Sequence, residues 1–147
     1  MIYLASKSPR RTELLTQIGA EHKIISIEVK EDLNSQISAT KNAEALSALK
    51  CQEGIRQIIA NNFIYYPVLA ADTLVVLGKE IFGKPKSEDT AISMLKKLSG
   101  QVHSVITGVT IGVIAEDQAN FHSINVESHV EFAEMSDHEC KEYCRTH

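Results

Sequence analysis

Residues 1–19 read MIYLASKSPRRTELLTQIG. Residues 2–5, IYLA, are a short apolar run with β-formers that breaks at Ser6-Lys7-Ser8-Pro9 and feeds a helical pattern. In that pattern Leu14, Leu15 and Ile18 share one face, and Gly19 follows as a C′ residue. Strand, loop, helix is the opening of an α/β domain, and the polar loop falls where such sheets collect ligands, at the carboxyl end of a strand.

The rest of the chain continues the alternation. KIISIEV, residues 23–29, predicts a second strand, and the polar loop EDLNSQ follows it. From Ala39 to Ala60 the positions Ala43, Leu46, Leu49, Ile55 and Ile58 recur at helical spacing, with Asn61-Asn62 closing the helix. YPVLAAD, residues 66–72, predicts a buried strand ending at Asp72, and residues 74–85 predict a hairpin turning near Gly78. Ser87 with Asp89 and Thr90 opens a helix that presents Ala91, Met94, Leu95 and Leu98 to the core and stops at Gly100. Two strands follow, at about 102–115 and 119–132, joined at Glu116-Asp117, and a last helix starts near Ser136. Adjacent long strands late in the chain pair antiparallel, so the expected fold class is α/β with a mixed sheet flanked by helices.

With 147 residues, 44% of them apolar, the chain has the size of one domain with a sizeable core. Its net charge of −4 excludes general affinity for nucleic acid or for an anionic membrane, so a cation that binds a ligand has to act locally. No apolar run approaches the roughly 18 residues of a membrane span, and the opening segment meets charge at Lys7, unlike a signal peptide, so a cytoplasmic protein is expected. Cys51, Cys140 and Cys144 form an odd set that suits reduced thiols.

Several stretches carry chemistry. With Ser8 as N-cap and Pro9 as first helical residue, the free amides of the first turn form an anion site, to which Arg10 and Arg11 add forked donors. Cations at a helix N-terminus oppose the macrodipole by roughly 0.3–1 kcal/mol each, which favours an anionic ligand over a plain capped surface helix. The Asp72-Thr73 pair in LAADT either holds a metal-bound water, takes its proton, or caps a turn. Lys84 in GKP is either a fixed charge for phosphate or a turn lysine, and His103, Val105 and Thr107 alternate onto one strand face. His138, Cys140, Cys144 and His147 are soft-metal ligand types, but their spacing matches no common zinc pattern.

LASKSPRRTELL, the lysine of LSALKCQEG, VLAADTLVV, FGKPKSEDTAISMLKKLSG and HSVITGV together resemble the Maf family of nucleoside triphosphate pyrophosphatases, in order and spacing, over the whole chain. The resemblance implies a two-lobed fold like that of inosine triphosphate pyrophosphatase, with a central cleft. It also implies metal-dependent hydrolysis, with magnesium or manganese, of excess or non-standard nucleoside triphosphates to the monophosphate and pyrophosphate, a house-cleaning role. Carried over, the resemblance gives Asp72, Lys84 and Lys50 as catalytic residues. Ser6, Ser8, Arg10, Arg11, Thr73 and Thr107 become substrate-binding residues, and Glu31 with Asp72 the metal ligands. LSGQVHSVITG resembles the subgroup acting on dTTP and UTP, with a 7-methyl-GTP type as the alternative. The family continues through a K-A-G-x-Y-x-x-Q-G segment where this sequence ends in YCRTH, so a single Maf-like domain lacking that segment is expected. Its uncovered edges would leave the domain marginal or paired as a homodimer, and a nucleotide-binding regulatory module without turnover is the rival reading.

Overall fold

A computed structural model of the chain describes residues 1–146. The elements in chain order are β1 (Ile2–Ala5), α1 (Pro9–Gln17), β2 (His22–Ile25), α2 (Ala39–Ala60), β3 (Val68–Leu77), β4 (Glu80–Phe82), α3 (Glu88–Leu98), β5 (Val102–Ala115), β6 (Gln118–Glu131) and α4 (Asp137–Thr146). The strands form one six-stranded sheet in the order β2-β1-β3-β5-β6, with β4 added on β3. β1 runs parallel to both β2 and β3, whereas β3 and β4 are antiparallel, so the sheet is mixed as expected. Glu116 and Asp117 take positive φ values of 50° and 60°, the backbone of a two-residue hairpin turn whose twist matches that of the flanking strands β5 and β6.

Three expectations need correction. β2 stops at Ile25 instead of 29, because its four residues pair one for one with the four residues of β1 and β1 has no further residue to offer. β3 does not end at Asp72 but runs to Leu77, since β4 pairs with Val75, Val76 and Leu77 and prolongs it. On α1 only Leu15 is buried; Leu14 and Ile18 stand 47% and 77% exposed, so the apolar stripe read from the sequence is narrower in the structure.

The chain divides into two compact units, one of Met1–Thr73 with Thr107–Val126, the other of Leu74–Ile106 with the described residues from Glu127 onward. In the first, α2 lays Cys51, Ile55 and Ile58 on Tyr3, Ala5, Val68 and Ala70. A fully buried aliphatic side chain contributes roughly 1.5–3 kcal/mol, so this apolar stripe is what seats the helix. The fit is close. A Cβ on Gly54 would lie 2.8 Å from Val68 Cγ1, and one on Gly108 would run into the backbone carbonyl of Ala43. Glycine at both points lets α2 approach the strands more nearly than any side chain would allow.

In the second unit, α3 opens with the expected capping box: Ser87 Oγ accepts from the Thr90 amide, and Thr90 Oγ1 accepts from the Ser87 amide. Glu88 and Asp89 at its start and Lys96 and Lys97 at its end complement the helix dipole. α4 is capped the same way by Ser136 and Glu139. No described helix is long and apolar enough to cross a membrane.

Candidate active site

Lys50 sits one helical turn before Gly54 on the face that α2 presses on the sheet, and Asp72 rises from β3 beneath it. Lys50 Nζ donates to Asp72 Oδ1 at 2.5 Å and also meets Glu31 Oε1 at 3.1 Å. Lys50 and Asp72 are each only 5% exposed, whereas the Glu31 side chain, from the loop after β2, is 42% exposed. Two carboxylates therefore share one ammonium at the edge of the solvent. A buried pair of this kind costs desolvation on both partners and is retained at little or no gain in stability, which points to a chemical use.

The turn after β1 brings a second cation. Ser6, 5% exposed, accepts hydrogen bonds through Oγ from the Ser8 amide and from Arg11 Nη1, both at 3.1 Å. Ser6 thus fixes the Arg11 guanidinium by its side and shapes the turn into α1. Burial lowers the Arg11 pKa from its usual value, and the negative charges of Asp72 and Glu31 partly offset that. An arginine stays charged at neutral pH despite such a shift, so Arg11, Lys50, Asp72 and Glu31 form one interacting electrostatic group in the first unit.

Other expected residues fall outside this group. Ser8 is the N-cap of α1 and Pro9 follows it, but the Ser8 side chain makes no cap hydrogen bond, and Arg10 is exposed. Thr73 follows Asp72 on β3, and strand alternation turns it to the opposite face, where its hydroxyl meets that of Thr107 at 3.1 Å. Lys84 lies in the second unit on the exposed loop after β4. Among the described residues no three His, Cys, Asp or Glu side chains converge to hold a metal ion. His147, one of the four soft-ligand types noted in the sequence, lies outside the described residues, and Cys140 is fully buried.

Asn42 was missed. It is 2% exposed at the start of α2, and its side chain accepts from the Asn34 amide at 2.8 Å while donating to the carbonyls of Asn34 and Ser38 at 3.0 and 3.1 Å. A hydroxyl chain was missed as well: Ser47 and Thr110, both fully buried, and the exposed Ser123 link α2, β5 and β6 at 2.8 and 2.7 Å. The available signal was a polar residue on an otherwise apolar helical stripe, which is where Asn42, Ser47 and Lys50 all stand beside Ala43 and Leu46.

Comparison with known proteins matches the chain, over residues 1–147, to the family described as Maf-like protein. A dTTP/UTP pyrophosphatase of Caldicellulosiruptor bescii is 40% identical over 145 residues, covering 99% of this chain and 71% of the relative. Proteins of the same name from Aliivibrio fischeri and Ruminiclostridium cellulolyticum are 37% and 39% identical, each covered over 72% of its own length. With the family match spanning every residue and the strand, turn and helix that open the chain placing Ser6 and Arg11 beside the Lys50–Asp72 pair, this chain belongs to the Maf-like family.

Proposed function

We propose that the chain is a metal-dependent nucleoside triphosphate pyrophosphatase acting on dTTP and UTP, releasing the monophosphate and pyrophosphate. The observation that carries this reading is the buried Lys50 ammonium shared by Asp72 and Glu31 beside the Ser6-held Arg11. The relatives bearing the dTTP/UTP pyrophosphatase name favour pyrimidine substrates over the 7-methyl-GTP alternative.

In the reaction a water attacks the α-phosphorus, and the bond to the oxygen bridging toward the β-phosphorus breaks. Negative charge builds on both the phosphoryl oxygens and the departing pyrophosphate. Lys50 holds Asp72 by Oδ1, which sets the plane of the carboxylate and leaves Oδ2 either to accept the proton of the attacking water or to bind the metal. Arg11, pinned by Ser6, offers parallel donors to phosphate oxygens, a geometry an ammonium cannot supply. Arg10 is an exposed cation of the first unit available to the outer phosphates, while Ser8, Thr73 and Thr107 are candidates for contact with the rest of the nucleotide; Lys84 is a catalytic candidate by family resemblance alone.

Glu31 and Asp72 are hard oxygen donors, the type that suits magnesium or manganese. Magnesium is commonly held by one or two carboxylates with substrate phosphates and water completing its shell, so a site without a third acidic ligand fits. Such a metal supplies charge neutralisation on the phosphates. The cytoplasm, where nucleoside triphosphates are made, is the compartment we propose for it.

Pyrophosphate release from dTTP and UTP with magnesium, measured beside an Asp72→Asn variant, tests the reading. Release at least a hundredfold above the variant is expected, in line with the roughly 10²–10³-fold cost of losing one electrostatic group. Release no greater than that of Asp72→Asn would overturn it, and faster turnover of 7-methyl-GTP would move the substrate assignment.

A further inference from the structure

The loop that delivers Glu31 has no regular structure from Ser26 to Asn34. Apolar packing fixes only its start, where Ile27 lies in the core cluster with Cys51, Ile55 and Ile58 of α2; further on, a cavity of about 460 Å³ opens between Lys30, Asp32 and Ile37 of the loop and Leu46 and Leu49 of the helix. Two polar tethers to α2 remain among the described residues. One is the Lys50–Glu31 contact itself; the other is Asn42. They stand eight residues apart on the helix, about 12 Å along its axis.

The Asn42 amide is fully committed to the loop. Its Oδ1 takes the Asn34 N–H, and its Nδ2 serves the carbonyls of Asn34, Ile37 and Ser38 at 3.0, 3.4 and 3.1 Å. Asn34 in turn accepts the Gln36 amide on its side chain, so one buried residue organises the whole 34–38 turn. Three residues upstream of this anchor stands Glu31. We propose that Asn42 is a positioning residue: by locking Asn34 to the first turn of α2, it sets Glu31 within reach of Lys50 and of a metal held between carboxylate and phosphate. This rests on the role given above to Glu31.

The test combines amide hydrogen exchange of the metal-free protein with the magnesium dependence of pyrophosphate release, in Asn42→Ala, Glu31→Gln and the double variant. Asn42→Ala is expected to lose protection at the Asn34 amide. It should also raise the magnesium concentration for half-activity by about tenfold, as loss of groups that orient a metal ligand commonly does, while saturating magnesium restores most of the turnover. The double variant should need no more magnesium than Glu31→Gln alone. Asn42→Asp, which keeps the oxygen facing the Asn34 amide, should recover part of that protection. Asn61→Ala, which removes a side-chain bond to the Gln57 carbonyl at the far end of the same helix, should leave the magnesium dependence unchanged.

Unaltered protection at Asn34 in Asn42→Ala would overturn the inference. So would a magnesium shift that adds to that of Glu31→Gln, or an equal shift in Asn61→Ala. Should Glu31→Gln alone leave magnesium dependence untouched, the role of Glu31 fails and takes this inference with it; a shift in Glu31→Gln without one in Asn42→Ala sinks only the inference.

Discussion

Lys50–Asp72 in the first unit and Lys97–Glu80 in the second are ion pairs of nearly equal length, 2.5 and 2.6 Å. Their surroundings differ completely: the side chains of the first are each 7% exposed, those of the second 51% and 50%. Distance alone would rank them together, but burial separates them. In water two unit charges at contact interact by about 1 kcal/mol, and salt and side-chain entropy consume most of that. Beneath α2 the attraction is far stronger and the desolvation cost rises with it, so the pair is costly to break yet of little net value for folding. Both units carry exposed ion pairs, such as Arg56–Glu53 in the first and Lys96–Asp137 in the second, but the Lys50–Asp72 pair of the first is buried on both sides.

The sharpest way to break this comparison is to remove one partner of the buried pair. Lys50→Met leaves Asp72 buried without its cation, which should destabilise the protein by about 3–5 kcal/mol and abolish turnover. Replacing both, as Lys50→Met with Asp72→Leu, should return most of the stability and none of the activity. Urea midpoints of the two variants beside pyrophosphate release check both halves; a double variant as unstable as the single one would show that the pair holds the fold.

A second route moves the helix instead of the charge. Gly108→Ala places a methyl group against the Ala43 carbonyl, which cannot move without lifting α2 from β5. Overpacking of this kind costs about 1–3 kcal/mol. Because Lys50 rides on the same helix, turnover should fall along with the melting temperature, while the second unit's Ser87→Ala should lower stability by only about 1 kcal/mol through its lost cap. Turnover unaffected by Gly108→Ala would mean that the seat of α2 does not set the geometry of the site.

These contrasts also explain what could be read in the sequence. α2, β5 and the capping box at Ser87 were legible to the residue, because helical period, strand alternation and cap chemistry are local signals. β2 and β3 were misjudged at their ends because a strand's length depends on its partner's, and pairing partners are distant in sequence. The cations at Arg10 and Arg11 were legible as a pair, yet their different fates were not. Arg11 is drawn inward by Ser6, while Arg10 points to solvent, a distinction made by the turn and not by the residue type. Asn42 stood on the apolar stripe of α2, but its partner Asn34 lies in a loop whose fold against the helix no local pattern announces.

The exposed pairs themselves should answer weakly. Lys97→Ala removes the contact with Glu80 and the ammonium over the Phe82 ring, 5.6 Å from its centroid, and should cost less than about 1 kcal/mol. Raising the ionic strength from 0.1 to 1 M shortens the screening length from about 10 to 3 Å and should erase most of that difference. A cost that survived in high salt would place Lys97 with the buried group.

The smallest effect expected is a pH dependence at Glu53, on the same helix as Lys50 but facing outward. Arg56 grips it with two hydrogen bonds, at 2.6 and 2.7 Å, and Gln57 adds a third. Hydrogen bonds from Arg56 come first in holding the Glu53 pKa down, to about 2 from the ordinary 4.5. A carboxylate whose folded value is depressed stabilises the protein above its unfolded value and loses that contribution as pH falls through the folded one, here between about 4.5 and 2. Solvent screening limits the contribution to the scale of surface pairs, below about 1 kcal/mol. Glu53→Gln should therefore have a lower urea midpoint than the parent at pH 7 and a difference that shrinks toward pH 3. Were the difference instead to reach several kcal/mol, burial would not be what separates Lys50–Asp72 from the other ion pairs of this helix.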